Sequence, residues 1–167
     1  MEFKKSSLAY RKLNNCLVCN SKKLNKVLDL NKQPLANSYL KKKDTNQKKY
    51  ELAVNCCLNC THLQLTIAVD PKIIYKNYDY VSGTTNTYKN YMKKFFNFCI
   101  KNSKKKFKNV LDIGCNDGSQ LNIFKKKKFK TLGVDPAKNI YKISSKKHKI
   151  ICDFFDEKVV KKINQKF

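Results

Sequence analysis

The stretch Val110-Leu111-Asp112-Ile113-Gly114-Cys115-Asn116-Asp117-Gly118 decides the fold that we predict for the second half of the chain. Its apolar start is typical of a short buried strand, and a glycine-bounded turn and a helical pattern follow it. The same alternation predicts strands at 109–113, 131–135 and 149–152, and helices at 119–128, 137–147 and 156–166. Strands joined by helices at this spacing lie parallel. The fold class is therefore α/β.

The glycine loop, residues 114–118, indicates the kind of ligand that this sheet binds. Its spacing is G-x-x-x-G, which differs from the G-x-G-x-x-G of dinucleotide binding and from the P-loop. Gly114 and Gly118 allow a sharp turn and a close approach to a ligand. Asp112 and Asp117 would repel phosphates but suit a ligand that carries an ammonium and a sulfonium. We therefore expect S-adenosylmethionine rather than NAD or ATP.

Acidic residues also follow the next two strands. Asp135 ends the second strand, where a carboxylate holds a ribose diol in related α/β sheets. Asp153 follows the third strand, near where an adenine amino group would lie, and Phe154 beside it could pack on the ring. A turn or helix-capping role explains Asp153 equally well. We predict all three as cofactor-binding residues.

Two C-x2-C pairs predict a metal site in the first half of the chain. Cys16 with Cys19 and Cys57 with Cys60 supply four thiolates, which is the closed ligand set of structural zinc. Chance clustering and a redox pair are the alternatives. We choose Cys57 over Cys56 for its spacing, and we leave His62 outside the ligand set. The 37 residues between the pairs must form a subdomain, for which 24–54 is available.

The region between the two sites contains a tyrosine-rich connection, 66–83, and a predicted helix, 84–106. Thr84 or Thr85 can cap the start of this helix. The spacing of its apolar residues predicts one stripe that packs against the core, made of Tyr88, Tyr91, Met92, Phe95 and Cys99. We therefore divide the chain into a zinc module at 13–65, a linker and helix at 66–106, and a cofactor domain at 107–167.

The net charge of +25 comes almost entirely from lysine, because Arg11 is the sole arginine. The lysines are spread along the whole chain, so we interpret most of them as a solvated surface. This distribution disfavours a nucleic-acid partner, although the charge leaves one open. We find neither a transmembrane run nor the apolar core of a signal peptide, so we expect no membrane partner and a reducing, cytoplasmic location.

The motifs VLDIGCNDGSQL and LGVDPAKNI resemble the first two motifs of class I methyltransferases. The strings CLVCNSKKLNKVLDLNKQPLANSYL, YELAVNCCLNCTHLQL and YDYVSGTT resemble the zinc-binding front module of the nucleotide-sugar C-methyltransferases. The resemblance covers residues 13–156. It implies a Rossmann-like domain bound to S-adenosylmethionine, a structural zinc and a nucleotide-linked keto-deoxysugar substrate.

The resemblance also implies roles for individual residues. Four cysteines match the zinc ligands of the family: Cys16, Cys19, Cys57 and Cys60. Six residues match its cofactor site: Asp112, Gly114, Asn116, Asp117, Gly118 and Asp135. Tyr78, Tyr80 and Ser82 match a Y-x-Y-x-S region that faces the sugar, and a packing linker explains these three equally well. In the implied reaction, a base removes the proton beside the C4 ketone and the enolate attacks the methyl group.

The chain departs from the family in its length. The resemblance places the catalytic histidine and its neighbouring acid in later parts of the enzyme, so the catalytic residues are unknown and expected outside this chain. His62 and His148 are its histidines, and neither is expected at the cofactor face. We therefore expect a truncated or split enzyme, inactive alone, whose C-terminal half could be a separate partner chain. The alternatives are a zinc-ribbon nucleic-acid-binding protein and an RNA methyltransferase.

Overall fold

The computed structural model describes residues 9–40, 42 and 46–164. The chain separates into two compact units after Ile74. This division differs from the predicted boundaries at 65 and 106. The first unit takes in segments on both sides of the predicted zinc module, and the predicted linker helix belongs to the second unit.

The first unit is built from antiparallel strands. Strand β2, Leu24–Pro34, pairs with β3, Lys49–Cys57, and β3 also pairs with β4, Leu63–Leu65. Strand β1, Tyr10–Lys12, pairs with β5, Ile67–Val69, so residues on either side of 13–65 close the unit. The strands β2 and β3, between the two cysteine pairs, therefore pair with each other as antiparallel strands, where the sequence predicts a subdomain. A short helix, α1, Pro71–Tyr75, follows β5.

The second unit alternates helices and parallel strands. Its elements are α2, Asn86–Asn102; β6, Asn109–Ile113; α3, Ser119–Lys126; β7, Lys130–Val134; α4, Lys138–Ser144; β8, Lys149–Ile151; and α5, Glu157–Asn164. The strands lie side by side in the order β6-β7-β8 and all run parallel. The predicted class, a four-cysteine module followed by a Rossmann-like α/β domain, is confirmed.

The core of the second unit lies between the sheet and α5. Leu132 and Val134 of β7 pack with Val159 and Ile163 of α5, and Leu111 lies against the same cluster. Because β7 is the central strand, its side chains are covered from both sides. The carboxyl ends of the strands meet at one edge, which positions the glycine loop beside the residues that follow β7 and β8.

Thr85 caps the start of helix α2, which begins at Asn86. The Thr85 side chain accepts a hydrogen bond from the Tyr88 backbone N–H over 3.3 Å, as predicted for Thr84 or Thr85. Met92 is the buried residue of this helix. Tyr91 and Phe95 are 57% and 42% exposed, so the predicted apolar stripe packs only in part. Among the described residues, no helix combines the length and apolar character needed to cross a membrane.

Candidate metal and cofactor sites

The four predicted zinc ligands lie together in the first unit. The sulfur atoms of Cys16, Cys19, Cys57 and Cys60 are all within 4.8 Å of one another. The Cys16–Cys60 and Cys19–Cys57 sulfur pairs are each 3.6 Å apart. Tetrahedral zinc with bonds of about 2.3 Å separates its sulfur ligands by about 3.8 Å, so the cluster fits this ion.

Two turns of nearly the same backbone geometry present these cysteines. In the first, the Asn20 N–H donates to the Cys16 carbonyl over 3.0 Å; in the second, the Thr61 N–H donates to the Cys57 carbonyl over 2.8 Å. Asn20 and Thr61 both have left-handed φ angles, 59° and 60°. The Asn59 amide also donates to the Cys19 sulfur over 3.5 Å. Each turn therefore holds its two sulfurs on the same side.

The thiols of Cys19 and Cys60 in this cluster have different pKa values, because ionisation of one thiol disfavours ionisation of its neighbours. Hydrogen bonds from the Ser21 backbone and the Asn59 side chain lower the pKa of Cys19 to about 6. The His62 backbone N–H lowers the pKa of Cys60, but the neighbouring thiols and burial outweigh it and raise this pKa to about 12. Four thiolates therefore need a cation to coexist, and a zinc ion supplies the charge that lets all four ionise.

Cys56 and His62 lie beside the cluster but do not join it. The Cys56 thiol points to the backbone carbonyls of Cys57 and Thr61, at 3.9 and 4.0 Å. The carbonyl of His62 accepts a hydrogen bond from the Cys57 N–H over 2.9 Å. The geometry therefore assigns the cluster sulfur to Cys57 rather than to its neighbour Cys56.

The glycine loop connects β6 to α3 in the second unit. Gly114 and Gly118 both have φ angles of +78°, in the left-handed region that favours glycine. A Cβ atom at Gly114 would meet no atom within 4 Å, so the loop has an open face there. A Cβ atom at Gly118 would lie 2.6 Å from the His148 ring. Gly114 therefore leaves room for a ligand, whereas Gly118 allows the helix to pack closely on His148.

Asp112 and Asp135 lie near each other at the carboxyl edge of the sheet. Burial, and repulsion from the Asp135 charge, raise the pKa of Asp112. Asp135 is buried, and its two carboxylate oxygens accept hydrogen bonds from the Asn116 and Ala137 backbone N–H groups, each over 2.9 Å. The site therefore concentrates negative charge and holds Asp135 in a fixed orientation.

Asn116 and Asp117 use their side chains within the protein. The Asn116 amide donates to the Tyr80 carbonyl over 3.0 Å and accepts from the Ser82 N–H over 2.9 Å. The Asp117 carboxylate accepts from the Gly83 N–H over 3.1 Å and from the Ser119 hydroxyl over 2.8 Å. We call residues 78–83 the tyrosine segment. Both loop side chains therefore fasten this segment to the glycine loop.

The far end of the tyrosine segment is fixed by α4. The Asn139 side chain accepts from the Tyr78 N–H over 3.0 Å and donates to the Tyr78 carbonyl over 2.9 Å. Tyr80 is 41% exposed, and Ser82 lines the cavity above the glycine loop. Of the three predicted sugar-facing residues, Ser82 therefore lines the cavity. The backbone of Tyr80 is held by Asn116, and that of Tyr78 by Asn139.

The walls of this cavity include aromatic residues of α2 for which we predicted a packing role. It has a volume of about 220 Å³, and its walls include Tyr88, Tyr91 and Phe95 of α2 as well as Asp112 and Gly114. Adjacent rings of the three aromatic residues lie nearly parallel, with centroids 5.8 and 6.5 Å apart. Among the described residues that line it, none is a lysine or arginine, despite the charge of +25. The cavity therefore suits a cation.

The remaining predicted cofactor residues lie at the end of β8. Asp153 is exposed, accepts a hydrogen bond from the Phe154 N–H over 2.9 Å and lies 3.8 Å from the Lys162 ammonium. His148, which precedes β8, is buried against Gly118, and its Nε2 pairs with the Asn122 side chain over 3.1 Å. Burial and the charges of Lys125 and Lys147 lower its pKa.

Comparison with known proteins agrees with this arrangement. Residues 16–75 match a family described as "Putative zinc binding domain", and residues 85–166 match one described as "Methyltransferase domain". The four-thiolate cluster and the half sheet with its acidic glycine loop thus define a zinc-binding class I methyltransferase architecture. The chain therefore resembles the zinc-binding class I methyltransferases, with a zinc-binding match followed by a methyltransferase match.

One curated relative gives the comparison more detail. The chain is 26% identical over 133 residues to the C-methyltransferase NovU of Streptomyces niveus. The alignment covers 78% of this chain and 32% of the relative. The chain therefore spans about a third of the length of the curated relative that it matches.

Proposed function

We propose that the second unit binds S-adenosylmethionine and belongs to a C-methyltransferase whose acceptor is a nucleotide-linked keto-deoxysugar. The observation that carries the proposal is the pairing of Asp112 and Asp135 beside the open face of Gly114. Two neighbouring carboxylates stabilise a cationic ligand and disfavour the phosphates of NAD or ATP. The likeness to a C-methyltransferase supports the reaction type.

The aromatic wall of the cavity supports a cationic cofactor independently of the carboxylates. Ring faces attract cations, and the sulfonium and ammonium of S-adenosylmethionine are both cations. Tyr91 and Phe95 present exposed rings to the same cavity as Asp112. In this proposal the helix α2 provides part of the cofactor site as well as packing for the sheet.

The tyrosine segment supports an acceptor site next to the cofactor. It is hydrogen-bonded to the glycine loop through Asn116 and Asp117, so an acceptor that contacts Ser82 would be held beside the cofactor. The exposed Tyr80 ring adds an aromatic surface at this position. Such positioning is the main contribution that a protein makes to a transfer between two bound molecules.

The cofactor and the protein would contribute different parts of the reaction. When bound, S-adenosylmethionine supplies an electrophilic methyl group. Asp135 would hold the ribose, and Asp112 and the α2 aromatic residues would hold the charged end of the cofactor. His148 does not offer a base at this edge, since its Nε2 pairs with Asn122 on the helix side of the glycine loop. The described residues thus supply binding and orientation.

A binding experiment tests the acceptor. The zinc-loaded chain is saturated with S-adenosylhomocysteine, and a nucleoside diphosphate 4-keto-6-deoxysugar is titrated while backbone amide NMR signals are recorded. We expect the largest shifts at Tyr80 and Ser82, and smaller ones with the nucleoside diphosphate alone. Equal shifts with both molecules would show that the keto-sugar is not recognised. Ser82→Ala is the site variant, and Ser103→Ala, an exposed serine after α2, is its matched control.

A further inference from the structure

Each strand of the parallel sheet is preceded by a lysine-rich segment. These segments are 103–108, SKKKFK; 125–130, KKKKFK; and 146–149, KKHK. Together they contain 12 of the 36 lysines of the chain within 16 residues, and they contain no acidic residue. We interpreted the lysines as spread along the whole chain, but a third of them lie in these three segments.

The fold brings the three segments to one surface. Parallel strands begin at the same edge of a sheet, and β6, β7 and β8 are parallel. The Lys130 N–H donates to the Lys108 carbonyl over 2.8 Å, and the Phe107 and Phe129 rings lie 5.2 Å apart. The Lys125 ammonium donates to the Lys147 carbonyl over 2.5 Å. The three segments therefore form one continuous surface, which we call the lysine edge.

All 12 lysines of the lysine edge are exposed. The opposite edge of the same sheet carries the acidic residues Asp112, Asp117, Asp135 and Asp153. Helix dipoles explain part of this polarity, because α2, α3 and α4 end near the lysine edge and cations stabilise helix C-termini. Within the edge, however, only Lys125 and Lys126 lie in the last turn of a helix. Most of the accumulated charge needs another explanation.

We propose that the lysine edge binds the phosphodiester backbone of a nucleic-acid duplex. Neighbouring strands lie about 4.8 Å apart, so the starts of β6 and β8 are separated by about 10 Å. The major groove of B-form DNA is about 12 Å wide, so lysines from the outer segments can reach phosphates on both of its sides. Lysine contacts phosphate as a point charge and reads no base, so the binding is independent of sequence.

The aromatic residues of the lysine edge favour a duplex over a single strand. Single-stranded nucleic acids bind by stacking their bases on exposed rings. Phe107 and Phe129 are not among the exposed large apolar residues, and Phe129 packs on Phe96 and Phe124. The surface therefore offers charge without stacking platforms.

An anionic membrane is a weaker fit to the same surface. Stable membrane attachment adds an apolar anchor to the basic residues. The three segments, which the structure describes in full, expose no large apolar side chain. Phe98 and Ile100 of α2 are the exposed apolar residues that precede the first segment, so they would be the first to enter a bilayer.

The lysine edge lies at the opposite end of the strands from the glycine loop. A duplex bound there is not presented to the cofactor cavity. The proposed nucleic-acid binding is thus separate from the proposed methyl transfer, and either can fail without the other.

Two charge variants of the full zinc-loaded chain test this inference. The edge variant replaces Lys104, Lys105, Lys106, Lys126 and Lys127 with Gln. The control variant replaces five exposed lysines of the same unit that lie outside the edge: Lys89, Lys93, Lys94, Lys158 and Lys161. Both variants have the same net charge. Circular dichroism checks that both variants are folded. If a five-residue variant is unfolded, a variant with only two of its substitutions is tested instead.

Binding of a fluorescent 20-base-pair DNA duplex is measured by anisotropy at several salt concentrations. The slope of log affinity against log salt is negative, and each lost phosphate contact reduces its magnitude by about 0.9. We therefore expect a reduction in magnitude of about 4.5 for the edge variant and under about 1 for the control. Equal reductions in the two variants would overturn the proposal, and so would failure of the wild-type chain to bind the duplex. Preferential binding to phosphatidylserine vesicles, lost in Phe98→Ser, would instead assign the surface to membranes.

Discussion

Asn116 donates a hydrogen bond from its side-chain amide to the backbone carbonyl of Tyr80 over 3.0 Å. This bond connects the glycine loop to the tyrosine segment, and the Asn116 side chain also accepts from the Ser82 N–H. One residue therefore links the proposed cofactor site to the proposed acceptor site. Asn116 has a φ of 48°, a conformation that asparagine tolerates better than most residues.

Replacing Asn116 should release the tyrosine segment without straining the loop. Asn116→Gly retains the left-handed conformation but loses the bonds to Tyr80 and Ser82, which we expect to destabilise the second unit by about 1–3 kcal/mol. Hydrogen exchange should accelerate at residues 78–83. Asn31→Gly is the matched control, because Asn31 is an exposed asparagine with a φ of 59° in the other unit. Unchanged exchange at 78–83 in Asn116→Gly would contradict the link.

Asp112→Asn should affect stability and cofactor binding in opposite directions. Burial and the Asp135 charge raise the pKa of Asp112, so its ionised form is disfavoured in the folded protein. Removing that charge should raise stability at neutral pH by roughly 1 kcal/mol, or about 4–8 °C in melting temperature. It should also weaken S-adenosylmethionine binding by about 10- to 100-fold, the range for one charge-assisted hydrogen bond. Calorimetry and thermal denaturation measure the two effects.

The raised pKa of Asp112 also predicts how protein stability and cofactor affinity depend on pH. Because the folded pKa lies above the unfolded value, the stability contributed by protonated Asp112 is full below pH 3.8 and is lost as pH rises through the folded pKa. Cofactor affinity should increase over that same interval, since the cation needs the carboxylate. Titrating affinity downward from pH 8 should reveal a decline that is absent in Asp112→Asn. An identical decline in the variant would assign the titration to another group.

The aromatic wall of the cavity should distinguish charged from neutral ligands. A cation over a ring contributes about 0.5–2 kcal/mol, so Tyr91→Leu should weaken binding of S-adenosylmethionine and the cationic analogue sinefungin by about 2- to 30-fold. S-adenosylhomocysteine lacks the sulfonium charge and should lose less affinity. Phe98→Leu is the control, since Phe98 is exposed on the same helix but does not line the cavity. Equal losses for all three ligands would indicate a packing role.

The adjacent cysteines Cys56 and Cys57 should behave differently. Cys57→Ser removes a cluster sulfur and should abolish stoichiometric zinc and unfold the first unit, because zinc of this kind contributes on the order of 10–16 kcal/mol to folding. Cys56→Ser should retain one zinc per chain. Metal analysis after dialysis, together with circular dichroism, measures both outcomes. Loss of zinc in Cys56→Ser with retention in Cys57→Ser would reverse the assignment.

The parallel sheet and the ligand cluster could be predicted because their signals are local. The strand–turn–helix pattern of 109–128 is contained in 20 consecutive residues, and each cysteine pair is fixed by its own spacing. The limits of the first unit could not be predicted, because β1 pairs with β5 across more than 50 residues of sequence. No local pattern encodes such a contact.

The roles of side chains were harder to predict than their positions. The spacing of apolar residues placed Tyr91 and Phe95 on one face of α2. It could not show that both side chains line an open cavity instead of packing in the core. Asp117 had the charge expected of a ligand contact, yet its carboxylate accepts from Gly83 and Ser119. The lysine edge joins three segments that lie apart in the sequence, and the parallel pairing of β6, β7 and β8 brings them to one surface.

Calorimetric titration of the zinc-loaded chain with S-adenosylmethionine tests the central claim most directly. We expect one saturable site per chain, with binding weakened in Asp112→Asn and retained in Asp79→Asn, an exposed aspartate outside the cavity. A folded, zinc-loaded sample that releases or absorbs no binding heat at any of several temperatures, and that shows no ligand-induced rise in melting temperature, would contradict the claim.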